Sequence, residues 1–443
     1  MRLTGTEGVP EVGTARHERP RQWRRLAALI ALVVATSAGC ADKVTDESID
    51  DWMRTEKGPA KLKKAAGSGS IDPALSAHAA QNLIRMDKGD VVIEALGNQS
   101  PERRAAVLDK LVPRLWQDAR VEGEMSIPNA PQVGAKDALF ELRKIAGDEA
   151  KKAIDGYLVE WLTGGYYDGR AKVGRFLGAT VVRAIGAAAG DKLIAAAKSV
   201  IAAPADAKGR RAKLEDDLLL ALAASGSTPA IQLLLDIYKM DRGDDTLPGR
   251  AVSALFRAYV DPSGLIDIQD PAPLEPVLTE LVEIARDETR APRITNDVIA
   301  LISAVGMPKC LQPLVDMIAY PHRDARYRWI GTDSGLRCGG VKAIIPVAEA
   351  LPAAGNYDAG DVRGAVWGNI IKMSPREAVG TAARTLLASK NPIARWVGVE
   401  VLANLGDRSV AAADAARVRA LAGDTTRLTG YWGKDKDKPE PTL

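Results

Sequence analysis

The chain has 443 residues, 60 Lys and Arg against 57 Asp and Glu, and 46% hydrophobic but only 5% aromatic residues, with three Phe. So small a net charge, +3, makes no strong case for a nucleic-acid binder. Scarce aromatics with abundant Ala and Leu weigh against a β-sandwich, and this length calls for two or more globular domains or one long repeat array.

The first element is an export signal. Arg19, Arg21, Arg24 and Arg25 precede an apolar run from Leu26 to Ala35, and the small residues Thr36, Ser37, Ala38 and Gly39 lead into Cys40. A basic segment, a short apolar segment and small residues at a cut site make a secretory signal, and the run is too short for a comfortable membrane span. The twin Arg24-Arg25 lies in a poor Tat context, so Sec export is expected. Met1 to Pro20 is long for a signal's basic segment; a translation start further downstream would shorten it. Ala38-Gly39-Cys40 resembles the lipobox of bacterial lipoproteins, although the Leu that family places three residues before the cysteine is Ser37 here. The resemblance implies cleavage after Gly39, acylation of Cys40 with diacylglycerol and usually of the new amino terminus, and a lipid anchor in the bacterial cell envelope. Ala41 and Asp42 favour the outer membrane by the sorting habit of that family. The alternative is an ordinary signal with an incidental cysteine. Residues 1–39 carry six Arg and three Glu, which leaves 54 basic and 54 acidic residues in the exported part. Its zero balance removes the compositional case for nucleic acid and for attraction to anionic lipid. No second apolar stretch reaches the length of a span.

Residues 40–47 read as a tether and Asp46 to Lys64, with Trp52 and Met53, as an amphipathic first helix. Further along, the chain matches itself at a distance of eighty residues. Leu220 to Gly226, Pro229 and Ile231 to Ile237 correspond to Ala300 to Gly306, Pro308 and Leu311 to Met317. Each reads as an apolar helix, a Gly turn, a Pro and a second apolar helix, because Gly tolerates the left-handed conformation and Pro suits a first helical turn. Similar hinges stand at Gly147-Asp148, Gly190-Asp191, Ser374-Pro375 and Gly406-Asp407, and the 259 residues from Gly147 to Gly406 divide into seven periods of 37. Helical hairpins at this period predict an all-α fold, an α-solenoid. Asn391 to Asp407, with Pro392 near its start, Arg395 and a closing Leu405-Gly406-Asp407, resembles the first helix of a HEAT repeat. That resemblance extends over residues 48–421 and implies a monomeric, right-handed, armadillo-type superhelix. Residues 118–133 and 320–340 break the rhythm and read as loops, and long loops inside an array are often functional. After a last helix from Arg408 to Ala422, the mixed-charge tail 422–443, with Lys434 to Lys438, reads as disordered.

Chemistry is sparse along this array. His78 sits in a helical context with no acidic neighbour in sequence and reads as a packed or half-exposed helix residue rather than a ligand; His322, beside Arg323 and Asp324, reads as a solvated loop histidine. Two unrelated histidines do not make a zinc site. Nucleophile-elbow, zinc-protease and phosphate-loop patterns are absent from the sequence. Glu215, Asp216 and Asp217 read as a solvated helix face, and Asp241, Asp244 and Asp245 lack the spacing of a calcium loop. No catalytic residue, metal or cofactor is therefore expected. With Cys40 lipidated, Cys310 and Cys338 remain as a pair in an oxidising compartment, either bridged or left as two buried thiols. Trp161, Tyr166 and Tyr167, and in the second loop Tyr327, Arg328 and Trp329, are residue types enriched at binding hot spots. Their alternative role is to cap the ends of adjacent repeats. The sequence thus predicts a lipid-anchored envelope scaffold that binds a protein or peptide. A carrier of lipid or another apolar ligand is the alternative, and an enzyme with a non-obvious site is a more distant one.

Overall fold

The computed structural model describes residues 44–121, 123, 130–164, 167–240, 244–261, 270–353, 363–405 and 408–426. Cys40, the export signal, the Gly406-Asp407 hinge and most of the tail lie outside the described residues. Every regular element among the described residues is helical. The chain opens with α1 (Asp46–Trp52), α2 (Gly58–Ala66), α3 (Pro73–Arg85), α4 (Gly89–Gly97), the long α5 (Pro101–Ala119), α6 (Pro131–Leu142) and α7 (Asp148–Thr163). A short helix, Tyr167–Ala171, leads into regular pairs: α8 (Gly178–Ile185) with α9 (Gly190–Ala202), and α10 (Asp216–Ala224) with α11 (Thr228–Lys239). Then come α12 (Leu247–Tyr259) with α13 (Leu278–Ala285), α14 (Pro292–Ala304) with α15 (Leu311–Ala319), and α16 (Ala325–Gly339) with α17 (Ile344–Ala350). A π-turn at Arg363–Trp367 runs into Gly368–Ile370, and α18 (Arg376–Leu386), α19 (Pro392–Asn404) and α20 (Arg408–Ala420) end the array.

The pairs form two layers. From α8 onward each first helix packs on the next first helix, α8 on α10, α10 on α12, α12 on α14 and α14 on α16. In the second layer α9 packs on α11, α13 on α15, α15 on α17 and α17 on α18. No single pair covers both its apolar faces, so the core runs lengthwise through the array. One cluster of buried side chains extends from Ile49 to Tyr327 and another from Ile318 to Leu405. The protein is an α-solenoid of helical hairpins.

Local chemistry sets the helix ends. Pro stands in the first turn of α3, α5, α6, α11, α12, α14 and α19, where its missing N–H is one the helix leaves unbonded. Asp72, Ser100 and Asn391 cap α3, α5 and α19 by accepting hydrogen bonds from Ala74, Arg103 and Ile393 backbone N–H groups. Gly226 and Gly306, just past α10 and α14, have φ of 63° and 76°, the left-handed conformation that a C-terminal turn needs.

Two expectations need correction. The helix expected from Asp46 to Lys64 is split into α1 and α2. Pro59 interrupts backbone hydrogen bonding there, and a Cβ on Gly58 would overlap the Trp52 carbonyl, so the chain folds back at that point. Residues 320–340 are not a loop: all but the first few form α16, capped by Asp324 accepting from Arg326 N at 2.9 Å. Its glycines, Gly331, Gly335 and Gly339, recur every four residues and lie along one face. A Cβ at each would meet Met317 Cγ at 3.2 Å, Val347 Cγ2 at 3.1 Å and Ala343 Cβ at 2.6 Å. They are a seam that lets α15, the turn after α16, and α17 approach closely, which is why glycine is tolerated inside this helix.

Candidate binding groove

The opposite face of α16 is open. Ile330, Asp333, Ser334 and Arg337 fall at helical spacing on it, and across from them Asn296, Ala300, Ser303 and Ala304 do the same on α14. Small side chains on both stripes keep the helices from filling the space between them. With Tyr259 and Val260 from the end of α12 and Gly364, Ala365 and Asn369 beyond α16, they enclose a groove of about 970 Å³. A second hollow of about 520 Å³ continues from Asp333, Arg337 and Asn369 to Gly340, Val341, Lys372 and Met373. The two share three residues, so the groove crosses four successive first-layer elements.

Its charges are largely internal. Asp333 pairs with Arg337 one turn on, and Asn369 Nδ2 donates to Asp333 Oδ1 at 3.1 Å. Tyr259, buried at the α12 end, makes no hydrogen bond through its hydroxyl among the described residues, and burial pushes its phenol pKa well up. A smaller hollow of about 340 Å³ between α12 and α14 contains Arg250, Arg257, Arg293 and Asp297. Arg250 there is tied to Asp216 and Asp244 at 3.1 Å each, and burial pushes the Asp297 carboxyl up. Among the described residues no group of three His, Cys, Asp or Glu is placed to hold a metal, and no described helix is long and apolar enough to cross a membrane.

The residues expected to touch a partner are mostly inside. Trp161 is 2% exposed; its Nε1 donates to the Ala119 carbonyl at 3.0 Å, and Lys136 and Arg170 lie over its ring. Tyr166 and the Tyr167 side chain lie outside the described residues. Arg328 is also 2% exposed and donates to the Ile318 and Tyr320 carbonyls at 2.9 Å each, while Tyr327 is buried against the ring of His322. Tyr327 and Arg328 are therefore packed inside because α16 turns its start into the core, and Trp161 because α7 turns it toward the Ala119 carbonyl. Of that set, Trp329 is the one among the described side chains that borders the groove.

Of the two histidines, His78 is a packed helix residue as expected, and His322 is not solvated. The His322 side chain is fully buried, with Nδ1 3.0 Å from Glu288 Oε1 and Nε2 2.9 Å from the Met317 carbonyl. Burial pushes its pKa down, against the pull of the Met317 carbonyl and Glu288. His78 does have acidic partners: Asp46 and Asp50 of α1, 32 and 28 positions earlier in the chain. Cys310, at the start of α15, and Cys338, in the last turn of α16, are joined as a disulfide with Cα atoms 6.6 Å apart. Cys338 also lines the groove. The groove residues Asp333 and Ser334 were missed because 320–340 read as a loop, where the four-residue glycine spacing was the available signal; Asn296 and Ser303 on α14 belong to no motif.

No protein-family model matches the chain, and no curated protein matches it. Among solved structures the chain is similar to Kap121p bound to Nup53p, at 13% identity and a TM-score of 0.30 over 93% of this chain and 44% of that one. It is also similar to Kap121p bound to Ste12p, at 13% identity and a TM-score of 0.26 over 93% and 44%. A third similarity is to human deoxyhypusine hydroxylase in complex with glycerol, at 15% identity and a TM-score of 0.20 over 73% and 93%. The chain spans less than half the length of the Kap121p chains it matches.

Proposed function

We propose that this protein is a lipid-anchored scaffold of the bacterial envelope that receives a segment of a partner protein in the groove between α14 and α16. The observation that carries the reading is the groove's course. It runs across four consecutive first-layer elements, from Tyr259 and Val260 to Met373, so its long axis follows the array rather than closing around a compact molecule. Small residues along both walls allow close approach of a polypeptide backbone, while Asn296, Ser303 and Ser334 offer hydrogen bonds and Trp329, Ile330 and Val260 offer apolar contact. The carboxylate that faces the groove, Asp333, is occupied by Arg337 and Asn369, and the reading assigns it a fixed structural charge rather than catalysis. Anchoring rests on Cys40 and the signal before it.

Two measurements test the two halves separately. Cys40→Ser is expected to move the protein from the membrane to the soluble fraction; unchanged partition contradicts the anchor. For the groove, affinity purification from detergent-solubilised envelope is compared for wild type, Ser334→Arg and the exposed control Lys198→Glu on α9. A protein recovered with wild type and the control, and lost with Ser334→Arg, supports the scaffold. Lipid recovered in its place would make the protein a carrier, and equal recovery with all three would refute the groove.

A further inference from the structure

We infer that the Cys310–Cys338 bridge is a thiol–disulfide exchange site, opened by a small dithiol reductant that enters the groove and attacks Cys338 Sγ. The two half-cystines stand in opposite surroundings. Cys310 is 0% exposed and belongs to the larger buried cluster, so a reagent reaches it only if the start of α15 unfolds. Cys338 is half-buried, stands one turn after Ser334 on α16 and lines the groove of about 970 Å³. That volume is in the range of sites that take small molecules, and Ala300, Ser303, Ala304 and Ser334 are small enough to keep the approach clear. A disulfide is attacked at the sulfur a thiolate can reach, and exposed bridges are the labile ones.

The leaving group is equally defined. Cys310 is the N-cap residue of α15, a helix of nine residues, and its side chain caps no N–H while it is bridged. When the bond opens, the Cys310 thiolate is left at the positive end of that helix, which stabilises a sulfur anion and speeds its departure. Burial opposes a lasting charge, so Cys310 then takes up a proton. In the first step the bond between Cys310 and Cys338 breaks as a bond forms between Cys338 and the reductant. The reductant's second thiol then displaces Cys338. Two electrons and two protons have passed to the protein, and the reductant has closed its own disulfide.

Opening the bond loosens α16 without dismantling it. The glycine seam still seats Gly331 and Gly335 against Met317 and Val347, and Arg328 still donates to the Ile318 and Tyr320 carbonyls at the other end of the helix. What the bridge fixes is the last turn, just before Gly340 reverses the chain with φ of 54°. Arg337 and Cys338 of that turn border the groove, and Arg337 also borders the hollow beyond it, so release is felt at the groove wall. The exchange site stands on the bridge and its surroundings and does not require a partner protein.

Differential alkylation of the full chain in detergent, read by non-reducing mass spectrometry of the Cys310 and Cys338 peptides, is the test. Glutathione is the monothiol probe and dithiothreitol the dithiol. Glutathione is expected on Cys338 with Cys310 left as the alkylated thiol, about tenfold or more over the reverse product. Ser334→Arg, which narrows the approach, is expected to slow opening by dithiothreitol about fivefold or more in the folded protein and not at all in urea. Single cysteine variants give a measure that does not depend on the groove variant. The thiol left in Cys310→Ser should be alkylated about tenfold faster than the one left in Cys338→Ser. Glutathione on Cys310, equal alkylation of the two thiols, opening that Ser334→Arg does not slow, or a bridge that opens only in urea would each overturn the exchange site.

Discussion

The two hairpins that match at a distance of eighty residues take opposite surfaces. In α10 every residue from Leu218 to Ala224 is buried, and the short helix Tyr167–Ala171 packs on it in addition to its neighbours in the array, with Lys172 bonded to Asp217 at 2.9 Å. In α14, flanked by α12, α13, α15 and α16, burial is confined to Thr295, Val298, Ile299, Leu301 and Ile302, and the remaining stripe borders the groove. The sequences show why: Leu218-Leu-Leu-Ala-Leu is apolar all round, whereas Asn296, Ser303 and the small Ala300 and Ala304 interrupt α14 at one-turn spacing. A repeat unit therefore does not fix what its outer face does. The residue types along one stripe decide whether the array closes over a helix or leaves it open.

The contrast is broken most severely in the closed helix. Leu222→Ala in α10 removes a fully buried side chain and is expected to destabilise the protein by about 3 kcal/mol, read as a lower denaturant midpoint with groove binding intact in the folded fraction. Cys338→Ser removes a link spanning 28 positions at the groove wall, with an expected loss of about 2–3 kcal/mol; here groove binding should weaken as well, because α16 is freed from α15. Non-reducing mass spectrometry of the Cys310 and Cys338 peptides checks the bond itself. A smaller effect concerns pH. His322 has a folded-state pKa below its ordinary value, so on acidification the unfolded chain takes up the proton first. Stability is expected to fall as pH drops below about 6.5, toward the lower folded value, and His322→Gln should flatten that slope in unfolding curves at about pH 7.5 and 5.5. The smallest change in stability is expected from Ser334→Arg in the open face, within about 0.5 kcal/mol, while partner binding is lost.

Much of the architecture was legible because its signals are local. The Gly226 and Gly306 turns, the Pro residues at helix starts and the Asn391 cap sit where hydrogen bonding requires them, and a period near 37 follows from the hairpin. The open face was hard to read for a physical reason: which side of a helix stays open depends on neighbours one or two units away. Glycine every four residues in α16 signals close packing as readily as a loop, and the difference is settled by Met317, Val347 and Ala343. Residue type did not reveal exposure either. Arg328 is buried because the Ile318 and Tyr320 carbonyls accept from it, and Trp161 because the Ala119 carbonyl does. The acidic partners of His78 lie two helices earlier, beyond any motif window.

Site-specific photocrosslinking in the intact envelope tests the central claim most directly, with a photoreactive residue placed at Asn296, at Ser334 or at the exposed control Lys198. A partner seated in the groove predicts one and the same crosslinked polypeptide from Asn296 and Ser334 and none from Lys198. Crosslinks absent from the two groove positions, or equally strong from Lys198, would contradict it.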